Sequence, residues 1–81
     1  MNYLKDAVEN RIYELCKERD ITINMLATYA GVTPSTIYTL LDKRRKTVQL
    51  RTLKIICDGL EITLAEFFNT DEFNALEQEI Q

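Results

Sequence analysis

With 81 residues and 46% hydrophobic content, the chain is sized for one small folded domain and does not resemble a disordered polypeptide. It has neither an apolar run long enough to cross a membrane nor a secretory signal pattern, which predicts a cytoplasmic protein without a membrane partner. Two cysteines that lie far apart and the absence of histidine argue against a zinc cluster or a histidine base, so we expect no enzymatic activity, metal or cofactor. The net charge of −3 at first argues against a nucleic-acid partner, but the distribution of charge along the chain is more informative than its sum.

The first helix is predicted over residues 3–19, where apolar side chains recur at helical spacing. The residues at i, i+4, i+7 and i+8 of this pattern are Val8, Ile12, Leu15 and Cys16. Charged residues on the opposite side are interpreted as solvated surface. Because Cys16 and Cys57 both fall within apolar stripes, we expect reduced core thiols rather than a disulfide or a redox switch.

Residues 22–42 predict two short helices joined by a sharp turn, and no residue before Asp42 in this stretch is charged. Thr22 is a candidate N-cap for the first of these helices, since its hydroxyl can accept a hydrogen bond from the opening turn. Gly31 can take the positive φ just past the end of that helix. A small residue, Ala27, stands where the two helices must approach each other.

The second helix of the pair has the strongest start signal in the sequence, with Thr33 as N-cap and Pro34 at the first helical position. Its apolar stripe consists of Ile37, Leu40 and Leu41. Its opposite face carries hydroxyl groups, on Ser35, Thr36, Tyr38 and Thr39. Two short helices at a steep angle with a glycine in the turn meet the requirements of a helix-turn-helix.

Residues 22–68 resemble the Xre family, the helix-turn-helix type of phage Cro proteins and repressors. The family pattern runs T-x-x-x-L-A-x-x-A-G-V-[ST], a hydroxyl-rich helix, a basic loop, L-x-T-L, and [ST]-L-x-E-[LF]-[LF]. The matching residues are Thr22, Leu26, Ala27, Ala30, Gly31, Val32, Thr33, Ile37, Leu40, Leu50, Thr52, Leu53, Thr63, Leu64, Glu66, Phe67 and Phe68. The resemblance implies an all-α, five-helix bundle of the lambda-repressor type and a sequence-specific regulator of transcription, acting as a repressor on double-stranded DNA.

Residues 43–46 are four consecutive cations that directly follow the hydroxyl-rich helix. Residues 42–54 carry six positive groups against one negative group, whereas residues 55–81 carry seven negative groups and no positive group. Alone, the basic loop is typical of a solvated, mobile segment, but beside a helix-turn-helix we interpret it as a phosphate-binding loop. The acidic C-terminal third is expected to face away from the DNA.

The sequence departs from the family pattern in two places. Ile23 stands where the family often places a phosphate-bracing glutamine, and residues 41–43 replace the usual acidic residue and glycine after the third helix. A phosphate contact at the first position must then come from Thr22, Asn24 or the backbone amides at the helix start, or it is missing.

The C-terminal part predicts two more helices and a tail. The buried stripe of the fourth helix is predicted to be Leu50, Leu53, Ile56, Cys57 and Leu60, with Gly59 as a stop candidate. Thr63 and Glu66 form a capping box for the fifth helix. Residues 1–69 are thus assigned to the DNA-binding domain, and residues 70–81 to a weak amphipathic helix of about ten residues that packs on its own domain or on a second copy.

The candidate sites follow from this reading. Base contacts are expected from Pro34, Ser35, Thr36, Tyr38 and Thr39. Phosphate contacts are expected from Thr22, Asn24, Thr33, Lys43, Arg44, Arg45 and Lys46. The interface of a homodimer is expected at Phe67, Phe68, Phe73, Leu76 and Ile80.

Two alternatives remain open. The hydroxyl groups of the third helix also suit ordinary helix capping and surface. The domain also suits a protein-interaction module, an antitoxin or anti-regulator that has lost DNA binding, which the missing glutamine and the overall acidity favour. With no room for a sensory domain, we expect no small-molecule ligand, although a partner protein could regulate the domain.

Overall fold

Six helices and no strand make up residues 3–80, the part of the chain that this computed structural model describes. They are α1 (Leu4–Arg19), α2 (Ile23–Ala30), α3 (Pro34–Leu40), α4 (Leu50–Gly59), α5 (Leu64–Phe68) and α6 (Asp71–Asn74). The all-α prediction and its order of helices are confirmed. Among these helices, none is long and apolar enough to span a membrane.

The predicted start and stop signals position the helix-turn-helix. The Thr22 hydroxyl accepts a hydrogen bond from the backbone N–H of Met25 at 3.1 Å, which confirms its role as N-cap of α2. Gly31 ends α2 with φ +72°, a left-handed conformation that L side chains rarely adopt. The chain then reverses, and Pro34 occupies the first turn of α3 as predicted. The turn between α2 and α3 is therefore encoded locally.

A continuous apolar core holds the helices together, and its largest members that are almost fully buried include Ile12, Leu26, Ile37, Ile56 and Phe67. Both cysteines are free thiols in this core, and burial raises the pKa of each thiol. At the end of α5, Arg11 Nε donates a hydrogen bond to the Phe67 carbonyl at 2.7 Å, which ties α1 to α5.

Gly59 lies where the backbones of α2 and α4 meet. A Cβ atom at this position would stand 2.8 Å from the Ala30 nitrogen and 2.8 Å from the carbonyl carbon and oxygen of Tyr29. α4 ends at Gly59, as the sequence suggested. The structure gives this glycine a packing role as well, because only a residue without a side chain permits this approach. The positive φ after α4 falls instead at Glu61.

Leu50 was wrongly predicted as part of the buried stripe of α4. It is the first residue of the helix, and 74% of its surface is exposed. The remaining stripe, from Leu53 to Leu60, is buried as predicted. Leu50 has the helical spacing of the stripe, but it lies at the start of α4, one turn before Leu53, where no neighbouring element covers its side chain.

The tail also differs from its prediction, because its helix is four residues long and residues 75–80 are not helical. Phe73 packs on Phe68 with ring centroids 4.9 Å apart. The chain then returns to α1, where the Glu79 carboxylate accepts a hydrogen bond from the backbone N–H of Leu4 at 3.1 Å. A helix of about ten residues is marginal on its own, and these contacts with α5 and α1 take its place.

Candidate nucleic-acid interface

The hydroxyl face of α3 lies at the surface. Ile37 and Leu40 anchor the other side of α3 in the core, so the five predicted base-contacting residues cannot turn inward. Four of them are exposed and Thr36 is half-buried. The Thr33 hydroxyl oxygen lies 3.0 Å from that of Ser35 and 3.1 Å from that of Thr36. Each hydroxyl has one donor and two acceptor positions, so this cluster keeps capacity for a further partner.

Thr33 is the N-cap residue of α3, as predicted. Its backbone is extended there, but its hydroxyl makes no capping bond to the backbone. It bonds instead to the hydroxyls described above. Since Pro34 has no N–H to offer, the start of α3 contains one fewer backbone donor in need of a cap.

A surface depression of about 330 Å³ separates α3 from the loop and from the start of α4. Its polar lining consists of Ser35, Thr36, Thr39, Arg45, Thr47, Gln49 and Thr52. The sequence reading did not propose Thr47, Gln49 and Thr52 as site residues, because they follow the four cations and lie outside the helix-turn-helix. The sequence did contain a signal for them, since these polar residues flank the apolar stripe at the start of α4.

The four cations of the basic loop divide into two pairs. Lys43 Nζ donates a hydrogen bond to Glu9 Oε1 at 2.8 Å, and Arg44 donates to both carboxylate oxygens of Asp42 at 3.1 and 2.9 Å. Hydrogen bonds from the side chain and backbone N–H of Arg44 lower the pKa of Asp42 to about 2. Arg45 and Lys46, by contrast, form no ion pair within residues 3–80. These two are the loop cations whose charge is not already balanced by a carboxylate in direct contact.

Glu9 is a buried carboxylate beneath the basic loop. Only 1% of its surface is exposed, and its second oxygen accepts a hydrogen bond from Lys5 Nζ at 2.7 Å. Lys5 Nζ also donates to the Asp42 carbonyl at 3.2 Å. Burial raises the pKa of Glu9, but the hydrogen bonds and positive charges of Lys43 and Lys5 outweigh burial, so the pKa is lowered. The Glu9 group therefore fastens the loop to α1.

The sequence reading missed Glu9: it interpreted the charged residues opposite the apolar stripe as solvated surface and gave Glu9 no role. A signal was present, because Glu9 lies three and seven residues before the buried Ile12 and Cys16 and so shares their side of the helix. Lys5 stands four residues before Glu9 and is also buried.

The start of α2 offers the other predicted phosphate contacts. Thr22 and Asn24 are exposed, whereas Ile23, at the position of the family glutamine, is half-buried and packs against the core. The Thr22 hydroxyl still has its own proton to donate after capping α2. The Asn24 carbonyl accepts a hydrogen bond from the Thr28 hydroxyl at 3.2 Å, while no contact within the described part engages its side-chain amide.

The acidic tail does not all face away from the basic loop, contrary to expectation. Glu79 lines a second depression, of about 270 Å³, together with Lys43, Arg45 and Lys46. Its carboxylate also lies at the N-terminus of α1, where the helix dipole favours a negative charge. The tail thus brings one acidic residue to the edge of the candidate phosphate-binding loop.

The residues predicted for a dimer interface have different environments. Phe67 is 0% exposed within the core of its own chain, so its assignment to an interface is wrong. Phe68, Phe73 and Leu76 are half-buried, and 82% of the surface of Ile80 is exposed.

Along residues 3–80 there is also no group of three or more acidic or cysteine side chains that could hold a metal ion.

Comparison with known proteins assigns this arrangement to a family. The family model of the Cro/C1-type HTH DNA-binding domain matches residues 11–72, well over half of the chain, including the whole helix-turn-helix and basic loop. The chain belongs to the Cro/C1-type helix-turn-helix family. The resemblance predicted from the sequence is thereby confirmed, and the family identifies a DNA-binding regulator of transcription.

A solved structure agrees with this membership. The crystal structure of the prophage Lp1 protein 11 matches this Cro/C1-type domain with a TM-score of 0.80 and 29% sequence identity, over 94% of this chain and 100% of that chain. A search of curated proteins finds no significant match.

Proposed function

We propose that this Cro/C1-type domain is a repressor that places α3 in the major groove of double-stranded DNA. The observation that carries the proposal is the exposed hydroxyl face of α3 next to Arg45 and Lys46, which form no ion pair with the described residues 3–80. The major groove accommodates an α-helix, and residues at the start of the second helix of the motif meet the base edges. On this proposal Pro34 and Ser35 enter first, and the rest of the hydroxyl face follows along the groove.

Phosphate contacts are divided unequally along the loop in this proposal. Arg45 and Lys46 neutralise phosphates directly, whereas Lys43 and Arg44 must first exchange a carboxylate for a phosphate. Two direct contacts per subunit give a salt slope of about −1.8 per subunit, and four give about −3.6. Thr22 and Asn24 add contacts at the start of α2 that carry no formal charge.

A mobility-shift titration against genomic fragments at two salt concentrations tests the proposal. Replacing Thr36 with alanine should change sequence preference, because a hydroxyl at the base edge is lost. Replacing Arg45 and Lys46 together with alanine should weaken binding to all duplexes alike. Binding that is unchanged in both variants, or absent for the wild-type protein at low salt, would contradict the proposal.

We extend the proposal to a homodimer on two half-sites about one helical turn apart, since hydroxyl contacts alone give modest specificity per subunit. An apolar groove of about 280 Å³ supports self-association, because the exposed Leu4 and Leu50 border it together with Phe68. Ile80 adds a further exposed apolar side chain at the end of the tail. Sedimentation equilibrium tests this: replacing Leu50 with glutamine should shift a dimer towards monomer, and a wild-type protein that stays monomeric on its operator would exclude it.

The second candidate is a protein-interaction module that no longer binds DNA. Two observations favour it: Ile23 turns towards the core where the family often has a phosphate-bracing glutamine, and Lys43 and Arg44 are neutralised within the chain. The same titration separates the two candidates. A protein that stays folded but binds no duplex at low salt would support the interaction module.

A further inference from the structure

Gln49 has a side chain that the fold does not use. It occupies the N-cap position of α4, and its backbone carbonyl accepts a hydrogen bond from the N–H of Leu53 at 3.2 Å. Its side chain makes no capping bond, and its carboxamide has no hydrogen-bond partner within residues 3–80. The start of α4 therefore depends on the backbone of Gln49 and leaves the carboxamide exposed to solvent.

The exposed carboxamide borders the same depression as the hydroxyl face of α3. Gln49 lines this space on the α4 side, and Ser35, Thr36 and Thr39 line it on the α3 side. On the proposed docking, a duplex whose base edges meet that hydroxyl face would extend across the depression between the two helices. Gln49 would then be the nearest side chain to the base pair next to those contacted by α3.

The chemistry of a carboxamide differs from that of the hydroxyls on α3. A serine or threonine hydroxyl bonds to several base edges and discriminates weakly, whereas a glutamine pairs with adenine through two hydrogen bonds, to N7 and N6. We propose that Gln49 is a base-reading residue that selects an adenine beside the segment read by α3. This inference rests on the proposed DNA-binding function and assigns part of its specificity to a residue outside the helix-turn-helix.

Selection from a pool of randomised duplexes, followed by titration of single-base variants of the selected site, tests the inference. Gln49→Met is the informative variant, because it keeps an unbranched side chain of similar length and removes both hydrogen-bonding groups. Lys46→Met is the matched control, because it removes a loop charge without touching the carboxamide. Circular dichroism and thermal unfolding of both variants establish that each remains folded, which the exposure of both residues leads us to expect.

The wild-type protein should prefer adenine at one position per half-site by about 5- to 150-fold, the range of a good bidentate pair. Gln49→Met should abolish that preference at that position alone, and Lys46→Met should weaken every duplex while preserving it. A folded Gln49→Met protein with the wild-type preference, or with uniformly weaker binding, would overturn the role of Gln49 and leave the proposed function intact. A wild-type protein that binds no duplex would overturn both.

Discussion

Replacing Glu9 with glutamine tests whether the buried carboxylate fastens the basic loop to α1. The substitution keeps the shape of the side chain and removes its charge. Lys5 is then left buried without a charged partner, although its hydrogen bond to the Asp42 carbonyl is retained. Lys43 is in a different position, because 76% of its side chain is exposed and it can return to water.

Two opposite effects are expected from this one change. Removing one partner of a buried ion pair typically costs about 3–5 kcal/mol. Because only Lys5 stays buried without its charged partner, and because the amide oxygen can still accept a hydrogen bond, we expect a loss of about 2 kcal/mol here. In a domain of this size that lowers the melting temperature by about 8–16 °C. Lys43 meanwhile becomes free for a phosphate, which should steepen the salt slope of DNA binding by about 0.9 per subunit.

Urea unfolding and DNA titrations over a range of salt concentrations measure the two effects. Glu14→Gln is the matched control, since Glu14 lies on the same helix and pairs with Arg11, but its side chain is about half exposed. An i,i+3 ion pair on a helix contributes about 0.2–0.5 kcal/mol, and Glu14 itself can return to water, so the control should change stability little. A Glu9→Gln protein as stable as the control would refute the view that Glu9 anchors the loop, whatever its affinity for DNA.

Three further outcomes are expected. Gly59→Ala should destabilise the fold by about 1–2 kcal/mol in urea, because overpacking against the backbone of α2 exceeds the gain in helix propensity. Folding lowers the pKa of Glu9 from 4.5 and that of Asp42 from 3.8 to about 2. Each carboxylate therefore stabilises the fold fully above its unfolded-state pKa, and this stabilisation is lost as the pH falls through its folded-state pKa. The urea concentration at the unfolding midpoint should decrease between pH 5 and pH 2, and it should decrease less steeply in Glu9→Gln. Arg45→Ala should reduce DNA affinity more than Arg44→Ala in the same titration, because Arg44 is held by Asp42; equal losses would show that the internal ion pair does not compete with phosphate.

The helices and their caps could be predicted from the sequence because local signals determine them. Thr22, Gly31 and Pro34 each act within one turn of the backbone, and Thr63 and Glu66 form the predicted capping box with both hydrogen bonds at 3.0 Å. The hydroxyl face of α3 was also predictable, since helical periodicity alone separates it from the buried stripe.

What could not be predicted depends on contacts between distant parts of the chain. Lys43 and Glu9 are separated by 34 residues, so no local pattern reveals that this loop cation is already paired. The same applies to Glu79, whose hydrogen bond to the backbone of Leu4 spans 75 residues. Leu50 shows the converse case, because its helical spacing suggests burial but no neighbouring element covers it.

The contact at Gly59 has a consequence for how such a protein diverges. Because main chain touches main chain there, the tilt of α2 against α4 is set by peptide atoms rather than by interchangeable side chains. Substitutions elsewhere in the interior can then alter thermal tolerance without rotating α2 against α4. Relatives can therefore drift apart in their interiors while the helix-turn-helix keeps its orientation.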